Sequence, residues 1–355
     1  MSRKVVHVIG TGTIGEPLIG ALCDFKEEFG IHEITFHKRS PYEHDRPKIR
    51  SLESRGAQLA VDKEFWDDFE KKGFQPQLTH EEALEQASVV IDCTPVGNKN
   101  KELIFKNYEE STLGFIAQGS EFGFGKPYAR GINDEALEPG KDKYIQVVSC
   151  NTHNLAVVLQ CFAYDFGQDY QNLDFGNFVC MRRCSDISQS GDAIASPEVG
   201  KHSVEGFGTH HARDAFHLFQ TIGVSPKIFS SAVKLNTQYM HILHFHIRCK
   251  NKINQEKIHE ILRQNPRVAL TKKRLAAQIF SFGRDHGHYG RILNQTVIPE
   301  DCLAFNNDHE VIGFCFTPQD GNSLLSSISA ALWFLDPKDY ESRLQCLRKY
   351  FFEEV

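Results

Sequence analysis

The 355-residue chain has no apolar run approaching the roughly 20 residues that cross a bilayer. Its opening, Met1-Ser2-Arg3-Lys4, leads straight into a strand-like run, without the apolar core and small-residue cleavage site of a secretory leader. Basic residues are outnumbered, 40 Lys and Arg against 46 Asp and Glu, so a net charge of −6 leaves no electrostatic footprint for nucleic acid. The ten cysteines include no C-x-x-C pair. Cys180 and Cys184, four apart, suit neither a zinc ribbon nor a dithiol redox motif. They read as reduced thiols of a cytoplasmic protein, with no disulfide frame and no metal centre. Internal repeats and low-complexity tracts are lacking too. What remains, 41% hydrophobic and 24% charged, is an ordinary soluble composition, in a chain long enough for two domains with separate cores.

Val5-Val6-His7-Val8-Ile9 is nearly continuously apolar, as a parallel strand covered on both faces must be. It ends in Gly10-Thr11-Gly12-Thr13-Ile14-Gly15, and a helix through Leu18, Ile19, Leu22 and Phe25 follows. This is G-x-G-x-x-G in its strand–turn–helix setting. The glycines permit the tight turn, the approach of a pyrophosphate to backbone N–H groups, and close helix–strand packing. The next strand, Glu33 to Phe36, ends in His37-Lys38-Arg39-Ser40. An acidic residue that would accept from a ribose 2′-hydroxyl is missing there, and Glu33 lies too early. Lys38 and Arg39 suit a 2′-phosphate instead, which predicts NADP in preference to NAD.

Further strand-like runs are Ala87 to Cys93, ending in Thr94-Pro95-Val96-Gly97, and Leu113 to Ala117, ending in Gln118-Gly119-Ser120-Glu121. Asp62 to Gln77 reads as a helix and loop covering the sheet, and Gly125 to Lys143 as a surface connection. That connection leads to Val147-Val148-Ser149-Cys150-Asn151-Thr152, where a strand meets the apolar stretch Leu155 to Phe162. A cysteine at such a junction gains from the helix N-terminus, which favours thiolate, the nucleophilic form.

Beyond Cys150, strand-like runs (Asn177 to Met181, Lys227 to Phe229, Tyr239 to Ile247, Glu310 to Phe316) alternate with helical patterns at Gln255 to Gln264 and Leu270 to Phe282. Without βαβ regularity this predicts an α+β domain. Ser323 to Leu335 is expected to be an amphipathic helix folding back onto the first domain.

Seventeen histidines is a high count. Strand alternation puts His241 with Leu243 and Phe245 on one face, and His244 with His246 on the other. Partial burial keeps an imidazole neutral and able to move protons near pH 7, so His241 is a candidate base. His210 and His211 follow the loop Gly206-Phe207-Gly208 and are rivals for the role. His244 and His246 lack the companions a metal would need. Arg182-Arg183 is an anion clamp that serves either phosphate or cofactor. A dinucleotide domain, a thiol, a base and an anion clamp together suggest oxidation of an aldehyde through a thiohemiacetal and a thioester.

The chain resembles the archaeal-type (type II) phosphorylating glyceraldehyde-3-phosphate dehydrogenases. The resemblance rests on ordered blocks: Gly10 to Gly15, Asp92-Cys93-Thr94-Pro95 with Gly97, Phe115 to Glu121, Val147 to Thr152, Arg182-Arg183, Thr209-His210-His211, Met240-His241 and Gln319. It implies an α/β architecture: an N-terminal Rossmann domain over 1–149, an α+β catalytic domain with a mixed sheet over 150–317, and a returning C-terminal helix over 318–355. It also implies a homotetramer acting in glycolysis or gluconeogenesis on a phosphorylated aldehyde and inorganic phosphate, with no nucleic-acid or membrane partner. By position, Cys150 would be the nucleophile and His241 the base. Ser149, Asn151, Thr152, His210 and His211 would meet substrate, with the Arg pair; Gly10, Gly12, Thr13, Ile14, Gly15, Gly119 and Gln319 would meet NADP or NAD. This chain departs from the family pattern at His153-Asn154, at Ala212 after the histidine pair and at Ile187, and the segment near Trp66 resembles an insertion. These changes leave room for another semialdehyde or acyl phosphate, or for a nucleotide-binding, redox-sensing homologue that no longer turns over.

Overall fold

The computed structural model of the protein describes residues 3–119, 121–185 and 193–355; Ser120 and Ile187 lie outside them. The chain divides into two compact units. The first gathers Met1–Lys126, Leu137–Val147 and Leu324–Arg348; the second gathers Pro127–Ala136, Val148–Ser323 and Lys349–Val355.

The first unit is built on strands β1 (Val5–Ile9), β2 (Glu33–His37), β3 (Ala57–Val61), β4 (Leu78–Thr79), β5 (Val89–Asp92), β6 (Gly114–Gln118), β7 (Lys126–Tyr128), through which the chain leaves the unit, and β8 (Tyr144–Val147). The sheet order is β4-β3-β2-β1-β5-β6-β8-β7. The pairs from β4 through to β8 are parallel. Every residue of β1 and β2 is buried, which is why β1 reads as a nearly continuous apolar run; β2 buries the polar Glu33, Thr35 and His37 as well. Helices α1 (Gly15–Asp24), α2 (Lys26–Phe29), α3 (Arg46–Ser54), α4 (Trp66–Lys71), α5 (His80–Gln86) and α6 (Gly97–Leu103) intervene. A Thr79–Glu82 capping box starts α5.

The second unit carries α7 (Cys150–Phe162), β9 (Leu173–Arg182), β10 (Glu198–Val199), α8 (His210–Gln220), β11 (Ile228–Lys234), β12 (His241–Cys249), α9 (Gln255–Gln264), β13 (Val268–Thr271), α10 (Ala276–His286), β14 (Thr296–Pro299), β15 (Ala304–Asn306) and β16 (Glu310–Thr317). Its sheet, β10-β11-β9-β12-β16-β14-β13, mixes parallel pairs (β11–β9, β13–β14) with antiparallel ones (β9–β12, β12–β16). All twelve residues of α7 after Cys150 are buried. The Phe162 ring lies 5.1 Å from that of Phe245 on β12. Such large apolar side chains contribute about 1.5–3 kcal/mol each when fully buried.

Three sequence-based expectations are corrected. The pattern over Leu270 to Phe282 is not one helix: β13 takes its start, fully buried and paired with β14, and α10 begins only at Ala276. The segment Gly125 to Lys143 is not a simple surface connection, since Tyr128, Ala129 and Asn133 are completely buried. Asn133 makes that burial possible: its amide oxygen accepts from Ala129 N–H at 3.1 Å, and its nitrogen donates to the Pro127 carbonyl and the Thr221 hydroxyl. The helix over the stretch expected to fold back, α11 (Gly321–Leu335), is not amphipathic but buried along its whole length. Its serines make this tolerable, as where Gln118 donates to Ser327 Oγ at 2.7 Å, and Gly114 leaves room for the Phe334 ring.

The first sheet also buries histidines. His7 is fully buried with Nδ1 2.7 Å from Thr35 Oγ1. The His80 ring stacks on that of His37 at 3.9 Å, and His37 Nε2 lies 3.2 Å from Asp62 Oδ1. Burial, with His37 beside it, brings His80 down to about 3 and holds His7 well below the ordinary imidazole range. In the unfolded chain both titrate near 6.5. Because the folded state binds fewer protons below that value, stability is fully present above it and falls as pH drops. The slope is about 1.4 kcal/mol per pH unit for each histidine. Thermal melts should therefore show a midpoint falling between pH 6.5 and 5, and His80→Asn should flatten part of that fall. A midpoint constant over this window contradicts the account.

Candidate active site

The turn into α7 is fixed by its own side chains. Ser149 is the N-cap, with extended φ −65° and ψ 157°, and its Oγ accepts from Thr152 N–H. Cys150, the first helical residue, is partly exposed, whereas the next four residues are 0–2% exposed. Those buried polar residues are tied down. Thr317 Oγ1 donates to Asn151 Oδ1 at 3.2 Å and accepts from Asn154 Nδ2 at 2.7 Å. Asn322 Nδ2 donates to the Cys150 carbonyl at 2.9 Å. His153 Nδ1 lies 3.0 Å from the Ser149 carbonyl, and burial brings its pKa down to about 4, so the ring is neutral. The two departures after Thr152 thus belong to a polar lattice around the turn into α7. Sequence reading missed Asn154, Thr317 and Asn322 as members, because nothing local marks a polar residue whose partner is some 160 residues away.

The histidines converge on the ends of β9 and β12. As alternation predicted, His241, Leu243 and Phe245 share the buried face of β12. His241 Nδ1 accepts from Arg183 N–H at 2.9 Å. Its own N–H donates to Gln319 Oε1 at 3.0 Å, and its Nε2 lies 2.8 Å from the Gln319 amide nitrogen. A neutral ring accepting at Nδ1 carries its proton at Nε2. Burial, then the Arg183 and Arg182 charges, hold His241 well below the ordinary range.

His211 is different. It is 3% exposed, and among the described residues neither ring nitrogen has a hydrogen-bond partner. Burial, His210 and Arg182 keep it neutral. Its ring is 4.0 Å from that of the half-buried His210, which burial also lowers. Gly208 allows this arrangement, since at φ +76° a Cβ there would lie 2.3 Å from the Ser230 carbonyl. Ser230 Oγ then accepts from Ala212 N–H at the start of α8. Ala212, fully buried at that start, leaves the helix intact.

Arg182 is exposed at the end of β9, and Arg183 is 7% exposed. Arg182 acts electrostatically on His210, His211 and His241, and Cys150 acts on Cys180, two residues before it. Cys150, both arginines and the three histidines therefore all lie in the second unit, as does Gln319, which braces His241. The other two strand histidines are occupied elsewhere. The His244 ring packs on Phe314 at 4.9 Å and His246 Nε2 is 3.5 Å from Glu310. Among the described residues no group of three or more His, Cys, Asp or Glu is arranged to hold a metal.

In the first unit the glycine turn has the shape of a cradle. Gly10 has φ +94° and its N–H donates to the His37 carbonyl at 3.1 Å. A Cβ on Gly15 would lie 2.0 Å from the Gly10 carbonyl oxygen, so that glycine serves packing, whereas one on Gly12 would meet nothing within 4 Å. Thr13 and Ile14 lead into α1, with Ile14 at its N-cap. Gly119, at φ +64°, also borders open space. These features fit a dinucleotide pyrophosphate against the turn. Asp92 organises the neighbouring strand end, accepting from Thr94 N–H, Thr94 Oγ1 and Asn100 Nδ2.

The two cations after β2 are not equivalent. Arg39 is exposed, but Lys38 is 7% exposed and its Nζ lies 2.5 Å from Asp45 Oδ2. Lys48 reaches the other oxygen of Asp45 at 2.8 Å and donates to the Thr11 carbonyl at 3.0 Å. The expectation of two open cations is thereby reduced to one, and Asp45 and Lys48 are added.

No protein-family model matches the chain. Individual proteins do. The glyceraldehyde-3-phosphate dehydrogenase of Pyrococcus furiosus is 30% identical over 291 residues, covering 79% of this chain and 78% of the relative. That of Thermococcus kodakarensis is 32% identical over 258 residues, 70% of this chain and 71% of the relative. That of Sulfolobus acidocaldarius is 27% identical over 321 residues, 88% and 86% of the two chains. With alignments of this extent, and with one parallel dinucleotide-type sheet and one mixed sheet, the chain belongs to the glyceraldehyde-3-phosphate dehydrogenase family.

Proposed function

We propose that the protein is an archaeal-type phosphorylating aldehyde dehydrogenase. It oxidises a phosphorylated aldehyde, glyceraldehyde 3-phosphate first among them, with inorganic phosphate as acyl acceptor and NADP or NAD as cofactor, and it acts in the cytoplasm as a homotetramer. The observation that carries this reading is the capped, partly exposed Cys150 in a unit that also presents Arg182 and a buried, unpartnered His211. An orphaned buried imidazole is costly unless a ligand satisfies it.

The Cys150 thiolate adds to the aldehyde carbon, giving a thiohemiacetal. A base takes the hydroxyl proton as a hydride leaves that carbon, which is thereby oxidised to a thioester. The nicotinamide cofactor, when bound, accepts the hydride, and Gly10, Gly12, Thr13, Ile14, Gly15 and Gly119 would hold it. Phosphate then attacks the thioester carbonyl, the carbon–sulfur bond breaks, and the acyl phosphate leaves with Cys150 restored. Arg182, with the first turn of α8, suits the anions; Ser149, Asn151 and Thr152 shape the turn that aims the nucleophile.

His241 is the proposed base, kept neutral by burial. To accept a proton at Nε2 it must first reverse its Nδ1 contact with the Arg183 N–H. A second reading gives the role to His211, whose nitrogens are both unpartnered.

The test of the activity is a panel of phosphorylated and plain aldehydes, read by stoichiometric release of NAD(P)H with and without phosphate. Phosphate should accelerate turnover, and a rate independent of phosphate would reassign the protein to hydrolysing dehydrogenases. Iodoacetamide should label Cys150 before the other nine cysteines, and Cys150→Ser should abolish turnover while leaving dinucleotide affinity intact; an active serine variant contradicts the mechanism. Loss of a general base costs about 10²–10⁴-fold. His241→Asn should slow the pre-steady-state hydride step by that factor, and an unimpaired burst there with a slow one in His211→Asn would pass the role to His211.

A further inference from the structure

The Lys38–Asp45–Lys48 cluster sits at the edge of the glycine turn. Lys38 directly follows His37, whose carbonyl accepts the Gly10 N–H, and Lys48 bonds the carbonyl of Thr11 inside the turn. One carboxylate bridges both ammonium groups, one oxygen to each. All three side chains are largely withdrawn from solvent, at 8%, 16% and 24% exposure for Lys38, Asp45 and Lys48. Two lysines on one carboxylate leave a single positive charge in a half-buried place, and a carboxylate on two ammonium groups has the form of a small anion in its cradle.

We propose that the Asp45 carboxylate occupies the cationic subsite a cofactor 2′-phosphate would take, so that Asp45 is the residue that sets the balance between NADP and NAD. The inference rests on the reading that a dinucleotide lies against Gly10 to Gly15. A 2′-hydroxyl leaves the Lys38–Asp45–Lys48 bridge undisturbed. A 2′-phosphate must compete with Asp45 for Lys38 and then tolerate a second anion beside it. Burial works against the charge on Asp45, but hydrogen bonds from Lys38 and Lys48 more than offset this and keep the carboxylate ionised. Arg39, next to Lys38, is exposed to solvent.

The experiment is calorimetric titration of NADP, NAD and adenosine 2′,5′-bisphosphate into the full chain, unmodified and as Asp45→Asn, Asp45→Ser and the double variant Asp45→Asn with Lys38→Gln. Thermal melts select those variants that fold as the unmodified chain does. Removing Asp45 should tighten NADP and the bisphosphate by tenfold or more, while NAD changes by less than threefold. Adding Lys38→Gln should erase that gain. If both cofactors bind the unmodified chain and the NADP-to-NAD ratio moves by less than threefold in a folded Asp45 variant, the inference is overturned while the dinucleotide reading stands. If neither cofactor binds the unmodified chain, the dinucleotide reading itself falls and takes the inference with it.

Discussion

The acceptance of the Thr152 N–H by Ser149 Oγ fixes where α7 begins, and much of the second unit depends on that point. A helix shifted by one residue would rotate Cys150 by about 100° and turn it into the core. The cap alone cannot prevent this, since one such bond stabilises a helix by only about 1 kcal/mol. The surrounding lattice supplies the rest. Asn151 and Asn154 share the Thr317 hydroxyl, and Asn322 takes the Cys150 carbonyl. Each group would be costly to bury alone, and their reciprocal satisfaction makes the register of α7 unique.

The same burial that builds the site tunes its histidines. His153, His211 and His241 are all driven toward the neutral form, desolvation being the first cause in each case. They differ in what they do with their nitrogens. His153 is turned back on the Ser149 carbonyl and His241 is braced by Arg183 and Gln319, whereas His211 keeps both positions without partners. From the exposed end of β9, the Arg182 charge adds to burial in disfavouring imidazolium at His210, His211 and His241.

Where hydrophobic periodicity was strong, the fold was legible before the structure. The run Val5 to Ile9, the helix Gln255–Gln264 and the alternation through His241 to Phe245 all appear where pattern placed them. Pattern misled where tertiary burial overrode it. Leu270 reads as helical but pairs with β14, and the serines of α11 read as a polar face yet are buried. The site was legible to the extent that its chemistry comes from local motifs, as at Ser149-Cys150 and His210-His211. Asp45 and Lys48 were not, because a charged residue in a polar stretch gives no local sign that it folds back onto Lys38. Gln319 was expected beside the cofactor; the contact made in this structure is with His241.

The central claim is that the carbon oxidised by this protein is covalently held by Cys150 at the moment its hydride leaves. The most direct measurement is intact-mass and peptide mapping of the full chain after brief incubation with glyceraldehyde 3-phosphate and NADP in the absence of phosphate. The account predicts one acyl group per chain, located on the peptide bearing Cys150, appearing in step with reduced cofactor and lost on addition of phosphate. Reduced cofactor formed with no acyl group on Cys150, or with the group on another residue, would contradict it.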